Sequence, residues 1–351
     1  MNPPPNPSRP DVGIIGPFPP PYGGISVGIE RLGRRLEAEG IRYKVYNEAT
    51  GPGPRRLMLQ LLFSGPRKIL HYQSPDWRMR CLVALWGMLT GRESVISIHG
   101  QSFEFSMRGG VLQRALIGFF ARRTSAVIAC NPEIESQVGA LTGCPEKVHM
   151  VPAFILPPPS AADAPLPPGL QEFLRSHSPR LLWIGWVEPF EGGDLYGLDL
   201  TFELIDRLRK RFPEVGCVLW FSGIRDEDLW RRLWQSAVKR GLEKHIHIER
   251  TALPEIYPLF KHADVFLRPT RTDGDSVSVR EALSMGTPVV ASDAAPRSGA
   301  CVTFKTGDME SLERAALSVL EHPDEARAHA RSEEQQDNGA KIVAIYRELG
   351  L

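Results

Sequence analysis

A succession of short apolar runs rich in valine and isoleucine, separated by amphipathic stretches long enough for helices, constrains this chain more than any other feature. The first series is DVGIIG (11–16), RYKVYN (42–47), KILHYQ (68–73), SVISIHG (94–100), SAVIAC (125–130) and KVHMVP (147–152). Such runs are buried on both faces, as in parallel strands joined by crossover helices. The series is interrupted by PAFILPPPSAADAPLPPGL, whose prolines permit neither a helix interior nor a central strand. It then resumes with RLLWIG (180–185), GCVLWFSG (216–223), HIHIER (245–250), DVFLRP (264–269), PVVASD (288–293) and CVTFK (301–305). The expected fold is α/β, two doubly wound Rossmann-like domains over 11–157 and 180–322 with a linker at 158–179. At 351 residues the chain is long enough for two hydrophobic cores. The proline-rich residues 1–10 are expected to be a disordered lead, and 323–351 a helix returning to the first domain on a stripe of Ile342, Val343, Ile345, Tyr346 and Leu349.

The net charge of +1 conceals an asymmetry. Residues 1–157 hold 18 Lys and Arg against 11 Asp and Glu, whereas 158–351 hold 24 against 30. A basic first half suits an anionic partner, phosphates or a membrane surface. The stretch 107–127 is open to two readings. Leu112, Leu116, Phe119 and Phe120 beside Arg108, Arg114, Arg122 and Arg123 fit a helix docking on anionic lipid, and equally a core-facing helix with a solvated basic side. The five cysteines, Cys81, Cys130, Cys144, Cys217 and Cys301, form no C-x-x-C pair, which argues against a disulfide framework or zinc site. No run approaches the roughly 18 to 20 apolar residues that span a bilayer, and the N-terminus lacks a signal-peptide core. A cytoplasmic protein, resident there or at the inner membrane face, is expected.

In parallel sheets ligands bind beyond the carboxyl ends of strands. After the first strand, Gly23 and Gly24 precede an amphipathic helix; they suit the approach of a phosphate or sugar, or simply a strand-to-helix turn. The loop is not G-x-G-x-x-G, so a nicotinamide fingerprint is absent. His99 ends the fourth strand, where it is either structural or catalytic. The segment Ala263 to Pro296 is densest: a strand, a polar loop with Arg268, Arg271, Asp273, Gly274, Asp275 and Ser276, then a helix whose N-terminus favours an anion. Asp273 and Asp275 also suit ordinary capping. Glu281 lies among Val279, Ala282 and Leu283 on a helix built for burial, where a carboxylate needs donors such as sugar hydroxyls.

This segment resembles the GT-B glycosyltransferases of family 4, marked by two carboxylates separated by seven residues, usually E-G-F-G-x-x-x-x-E-A-x-A-x-G-x-P-V-V-A. Here it runs from Asp273 through Gly274, Asp275, Ser276 and Val277 to Glu281, Ala282, Gly286 and the Pro288-Val289-Val290-Ala291 strand start. Gly23 and Gly24, His99, the linker, Ser222-Gly223 and the C-terminal helix occupy matching places. The resemblance implies domains facing a cleft and a retaining transferase without a metal or other cofactor, moving a sugar from a nucleotide donor to a saccharide, lipid-linked or small-molecule acceptor. No nucleic acid is implied as partner. It further implies that Asp273 holds the transferred sugar, Glu281 the ribose, and the amides of Asp275, Ser276 and Val277 the sugar and diphosphate. His99 would flank the sugar, Gly23 and Gly24 the phosphates, and Arg250 and Thr251 the base.

The chain departs from the pattern where the family carries an Arg and a Lys for the leaving diphosphate. It has GWVEPFEGGDLYGLDL, with Trp186 and Tyr196 near those places and Glu188, Glu191 and Asp194 between. Arg268, Arg271 or Arg280 are candidate substitutes. The acidic insertion is either solvated charge or a site for a cationic substrate. Two rivals remain, a GT-B sugar-nucleotide epimerase and a GT-B binding protein that has lost catalysis.

Overall fold

The computed structural model describes residues 9–19, 23–99, 102–157, 159–191, 193–249, 256–274, 276–334 and 336–351. The chain forms two compact units, Met1–Leu156 with Asp337–Leu351, and Pro157–Gln336. The first holds a parallel sheet of β1 (Val12–Gly16), β2 (Tyr43–Asn47), β3 (Ile69–Tyr72), β4 (Glu93–Ile98), β5 (Ala126–Ala129) and β6 (Val148–Met150), in the order β2-β1-β3-β4-β5-β6. Alternate residues serve opposite faces. Val12, Ile14, Val95 and Ile128 meet the helices Gly24–Ala38 and Asn338–Glu348. Ile15, Tyr72, Ile96 and Val127 meet Pro54–Ser64, Trp77–Thr90, Val111–Arg123 and Pro132–Thr142.

The second unit repeats the scheme with β7 (Arg180–Val187), a short antiparallel hairpin of β8 (Pro189–Phe190) and β9 (Gly193–Asp194), then β10 (Gly216–Ile224), β11 (Ile246–Glu249), β12 (Val265–Arg268), β13 (Val289–Ser292) and β14 (Cys301–Phe304). Its parallel sheet has the order β11-β10-β7-β12-β13-β14. The winding direction reverses between β7 and β12, the place where such sheets open a crevice for ligands.

Two segments differ from the sequence expectation. The linker carries a 3₁₀ turn, Pro159–Asp163, and a helix, Pro168–Ser176, which buries Leu170 and Leu174. Proline is tolerated here because Pro167 and Pro168 stand at the helix start, where a backbone N–H has no intrahelical partner. The tail is two helices rather than one. Pro323–Arg331 stays with the second unit, where Arg327 Nη2 donates to the Ala263 carbonyl at 2.9 Å. Asp337 then caps Asn338–Glu348 by accepting from the Ala340 amide at 2.9 Å, and Asn338 Nδ2 donates to the Phe154 carbonyl at 2.7 Å. Ile342, Val343, Ile345 and Tyr346 join the core of the first unit. There His71 on β3 bridges the Tyr346 hydroxyl (2.5 Å) and Ser97 Oγ (2.7 Å). Burial, with His99 nearby, pushes the His71 imidazole down to about 3. Of the expected lead, residues 1–8 lie outside the described residues.

Candidate functional site

At the carboxyl end of β12, adjacent to the reversal in strand order, Arg268 and Asp273 form a two-pronged ion pair: Nε to Oδ2 at 2.9 Å and Nη2 to Oδ1 at 3.0 Å. A second guanidinium reaches the same carboxylate from the loop after β13, Arg297 Nη1 to Oδ2 at 2.9 Å. The amide of Gly274 donates to Oδ1 at 3.0 Å and the Thr270 hydroxyl to Oδ2 at 3.3 Å. All three charged side chains are deeply buried, with 12%, 8% and 4% of Arg268, Asp273 and Arg297 exposed. Burial alone would raise the Asp273 carboxyl, but the two arginines override it and hold it at about 2. Two cations on one carboxylate leave the cluster with a formal charge of +1. The two loops are also tied by Ser292 Oγ, which donates to the Thr270 carbonyl at 2.6 Å.

The aromatic residues that stand where the resemblance calls for cations each hold an arginine. Arg268 lies over the Tyr196 ring, 5.1 Å from its centroid, and donates from Nη1 to the Ile184 carbonyl at 3.3 Å. Room for Tyr196 comes from Gly185, where a Cβ would stand 2.7 Å from the ring. Trp186 packs on Gly223 at a bulge in β10, and a Cβ there would stand 2.2 Å from the indole. Arg225 covers the other aromatic, 5.0 Å from a Trp186 ring centroid, and pairs with Glu188 at 3.1 Å. Aromatic faces attract guanidinium groups through the ring quadrupole.

Within the acidic insertion Glu191 is solvated charge, one of the two sequence readings, but Asp194 fits neither. Asp194 is completely buried. Its carboxylate accepts from the amides of Glu188 (3.0 Å) and Leu198 (2.9 Å), so it brackets the hairpin and starts the helix Leu198–Leu208. Burial, partly offset by those two amides, pushes its carboxyl up to about 6. Arg271 is engaged in the same structure, donating to both Asp199 carboxylate oxygens at 3.0 and 2.7 Å and to the Asp194 carbonyl. Gly197, at φ +67°, passes the Pro269 carbonyl so closely that a Cβ would lie 2.0 Å from it.

Beyond the loop, Ser276 is the N-terminal cap of the helix Val277–Ser284 and forms no side-chain cap bond; its hydroxyl meets Ser278 Oγ at 3.1 Å. Val277 is the first helical residue. Glu281, the fifth residue of that helix, is 4% exposed, and its Oε1 accepts from the Tyr257 hydroxyl at 3.5 Å. Ser222 and Gly223 lie at the end of β10, separated from β12 by β7. Arg250, Thr251 and Asp275 lie outside the described residues. In the first unit, Gly23 caps the helix Gly24–Ala38, its amide bonded to Ser26 Oγ at 2.9 Å, and Gly24 is the helix's first residue. His99 directly follows β4; burial, with Arg80 nearby, holds its imidazole down at about 4, so it is neutral at pH 7. Among the described residues no group of three His, Cys, Asp or Glu is arranged to hold a metal, and no helix is long and apolar enough to cross a membrane.

Arg297 escaped the sequence reading because it lies one residue beyond the segment Ala263 to Pro296 that the motif singled out. Its only signal was an arginine following a strand end next to β12. The readable cue for Arg225 was likewise indirect, a cation one residue beyond the β10 end.

Residues 178–322 match the family model described as Glycosyl transferases group 1. No curated protein matches the sequence significantly. Solved structures do. HepE from Anabaena, in complex with UDP, is 15% identical, with 97% of this chain and 98% of that one covered and a TM-score of 0.64. A glycosyltransferase from Rickettsia africae is 12% identical over 96% and 98%, with a TM-score of 0.67. Sucrose-phosphate synthase from Thermosynechococcus elongatus is 15% identical over 97% and 98%, with a TM-score of 0.63. The fold is that of the GT-B class expected from the sequence, two doubly wound α/β domains.

Proposed function

We propose, from the match of residues 178–322 to the Glycosyl transferases group 1 model, that the protein is a retaining glycosyltransferase that takes a nucleoside diphosphate sugar as donor, without a metal, and delivers the sugar to a hydroxyl of a saccharide, lipid-linked or small-molecule acceptor. The observation that carries this reading is the buried Arg268–Asp273–Arg297 cluster, with its surplus positive charge, beside the N-terminus of Val277–Ser284. A departing diphosphate needs preorganised positive charge and N–H donors in a water-poor site, which together lower the barrier by several kcal/mol. Arg268 and Arg297 supply that charge from β12 and β13 in place of the missing pair after β7. Asp273, already accepting from Arg268, Arg297, Thr270 and the Gly274 amide, fixes both guanidinium groups rather than holding the transferred sugar, and with Arg297 Nε also donating to the Ser292 carbonyl at 3.0 Å the cluster acts on the phosphates through its charge. Arg271, committed to Asp199, supports the loop from behind.

Glu281 accepts the ribose hydroxyls, the amides at Ser276 and Val277 meet the phosphates, and Ser222 and Gly223 border the nucleoside. In the first unit, His99, a neutral imidazole, and the Gly23-Gly24 turn are the candidates for sugar and phosphate contacts. The departing phosphate oxygen takes the acceptor's proton on the face it leaves, so that configuration is retained and no enzyme nucleophile is needed. The complexes of HepE with UDP and with UDP-glucose make a uridine donor the first to test. Calorimetric titration with UDP, GDP, ADP, TDP and CDP, in EDTA and then in magnesium, tests the donor site. Saturable binding of one nucleotide in EDTA, weakened at least tenfold by Glu281→Ala, is expected. Binding of none, or unchanged affinity of the variant, contradicts the reading.

A further inference from the structure

Among the described residues eleven large apolar side chains are exposed, and nine of them lie on three helices of the first unit, Pro54–Ser64, Trp77–Thr90 and Val111–Arg123. These helices share one face of the sheet with Pro132–Thr142, which carries Glu133 and Glu135, and the middle one is packed against both others. The most exposed are Val111 (77%), Phe63 (75%), Leu112 (74%) and Leu89 (66%). Core contact in Val111–Arg123 falls instead to Ile117 and Gly118, so Leu112, Leu116 and Phe119 are not the core stripe that one reading of the sequence made them.

The charges on these helices are as one-sided as their exposure. Together the three contain seven arginines and no aspartate or glutamate, in a chain whose 42 basic and 41 acidic residues nearly balance. Six of the seven, Arg55, Arg56, Arg78, Arg114, Arg122 and Arg123, are exposed. Arg123 lies over the outward-facing Phe119 ring, 4.8 Å from its centroid. The helix Gly24–Ala38 on the opposite sheet face is ordinary by contrast, with Arg34 paired to Glu30 at 2.7 Å.

We propose that this three-helix face docks on an anionic lipid bilayer, its aromatic and aliphatic side chains entering the headgroup boundary and its arginines meeting lipid phosphates. A membrane interface takes both kinds of side chain at once: apolar groups leave water, and each arginine near an anionic surface adds about fivefold to partitioning. The same face on a second copy of the chain is a poor partner, because it would set the seven arginines of these helices against the same seven, and the helices carry no carboxylate of their own. A nucleic acid would leave the apolar side chains in water. The inference does not depend on the transfer reading, since it rests on the first unit alone.

The test is co-sedimentation of the full chain with vesicles of phosphatidylcholine and of phosphatidylcholine mixed equally with phosphatidylglycerol. Binding to the anionic vesicles at least tenfold tighter than to the neutral ones, and weakened by salt, is expected. Leu112→Ser with Phe119→Ser, and separately Arg122→Gln with Arg123→Gln, should each weaken it by fivefold or more while the circular dichroism spectrum and melting temperature stay as in the parent. Equal binding to both vesicles, binding to neither, or variants that bind like the parent would overturn the proposal. So would a parent chain that is dimeric in sedimentation equilibrium and becomes monomeric in the Leu112/Phe119 variant.

Discussion

Replacing Asp273 by asparagine removes the one carboxylate that, among the described residues, pairs with Arg268 and Arg297. The side chain keeps its shape, so the change is almost purely electrostatic. Both guanidinium groups are nearly inaccessible, 12% and 4% exposed, and cannot turn outward to recover solvation without disturbing Tyr196 and Ser292. Breaking a buried ion pair by neutralising one partner costs about 3 to 5 kcal/mol, and Asp273→Asn should lie in that range at pH 7. Acid provides an independent check. The Asp273 carboxyl is lowered from 3.8 to about 2 in the folded protein. The stability this provides, about 2 kcal/mol, is therefore fully present above pH 4 and lost as pH falls towards 2. The variant should lack this increment of acid sensitivity. Urea unfolding followed by tryptophan fluorescence suits the question, because five of the seven tryptophans lie in the second unit. A loss below about 1 kcal/mol at pH 7, against the 3 to 5 expected, or parallel acid profiles for parent and variant, would refute the reasoning.

Arg297→Ala should leave Asp273 paired with Arg268 and the fold intact, yet lower kcat/KM on the order of a hundredfold, as losing one preorganised donor to a leaving group does; unchanged kinetics would exclude it from the phosphate site. Gly185→Ala places a methyl group 2.7 Å from the Tyr196 ring. It should cost about 1 to 3 kcal/mol by overpacking and lower activity through the displaced Arg268; a melting temperature equal to the parent's would contradict the packing argument. The His99 imidazole, held at about 4, is already neutral from pH 5 upward, so it should impose no inflection on kcat/KM between pH 5 and 8. An inflection near 6.5 that His99→Gln abolishes would show a different environment.

The sheets were readable because each strand is a continuous apolar run, and periodicity reports burial directly. Asp273 and Glu281 were readable because one loop and one short helix hold them close in sequence. The Arg268–Asp273–Arg297 cluster was only half visible. Arg297 comes from a separate loop that β13 brings beside β12, and strand order is a tertiary property that no local pattern encodes. The fate of the acidic insertion was hidden for a similar reason. Asp194 reads as surface charge, but the hairpin turns it inward to accept the amides of Glu188 and Leu198. The linker helix was missed because proline density was read without regard to position, although Pro167 and Pro168 stand where a helix tolerates them. Likewise, in 107–127 the sequence pattern did not tell which residues face the core, a place that Ile117 and Gly118 take.

The most direct test of the transferase reading is to incubate the protein with whichever nucleotide sugar it binds, in EDTA, with monosaccharide, glycolipid and glycan acceptors, and to follow the anomeric signals by NMR. The account predicts release of the free nucleoside diphosphate and a glycoside with the donor's anomeric configuration, at a rate sharply reduced by Arg297→Ala. A donor converted to an epimer, an inverted product, turnover that requires added magnesium, or an unchanged donor under every condition would contradict it.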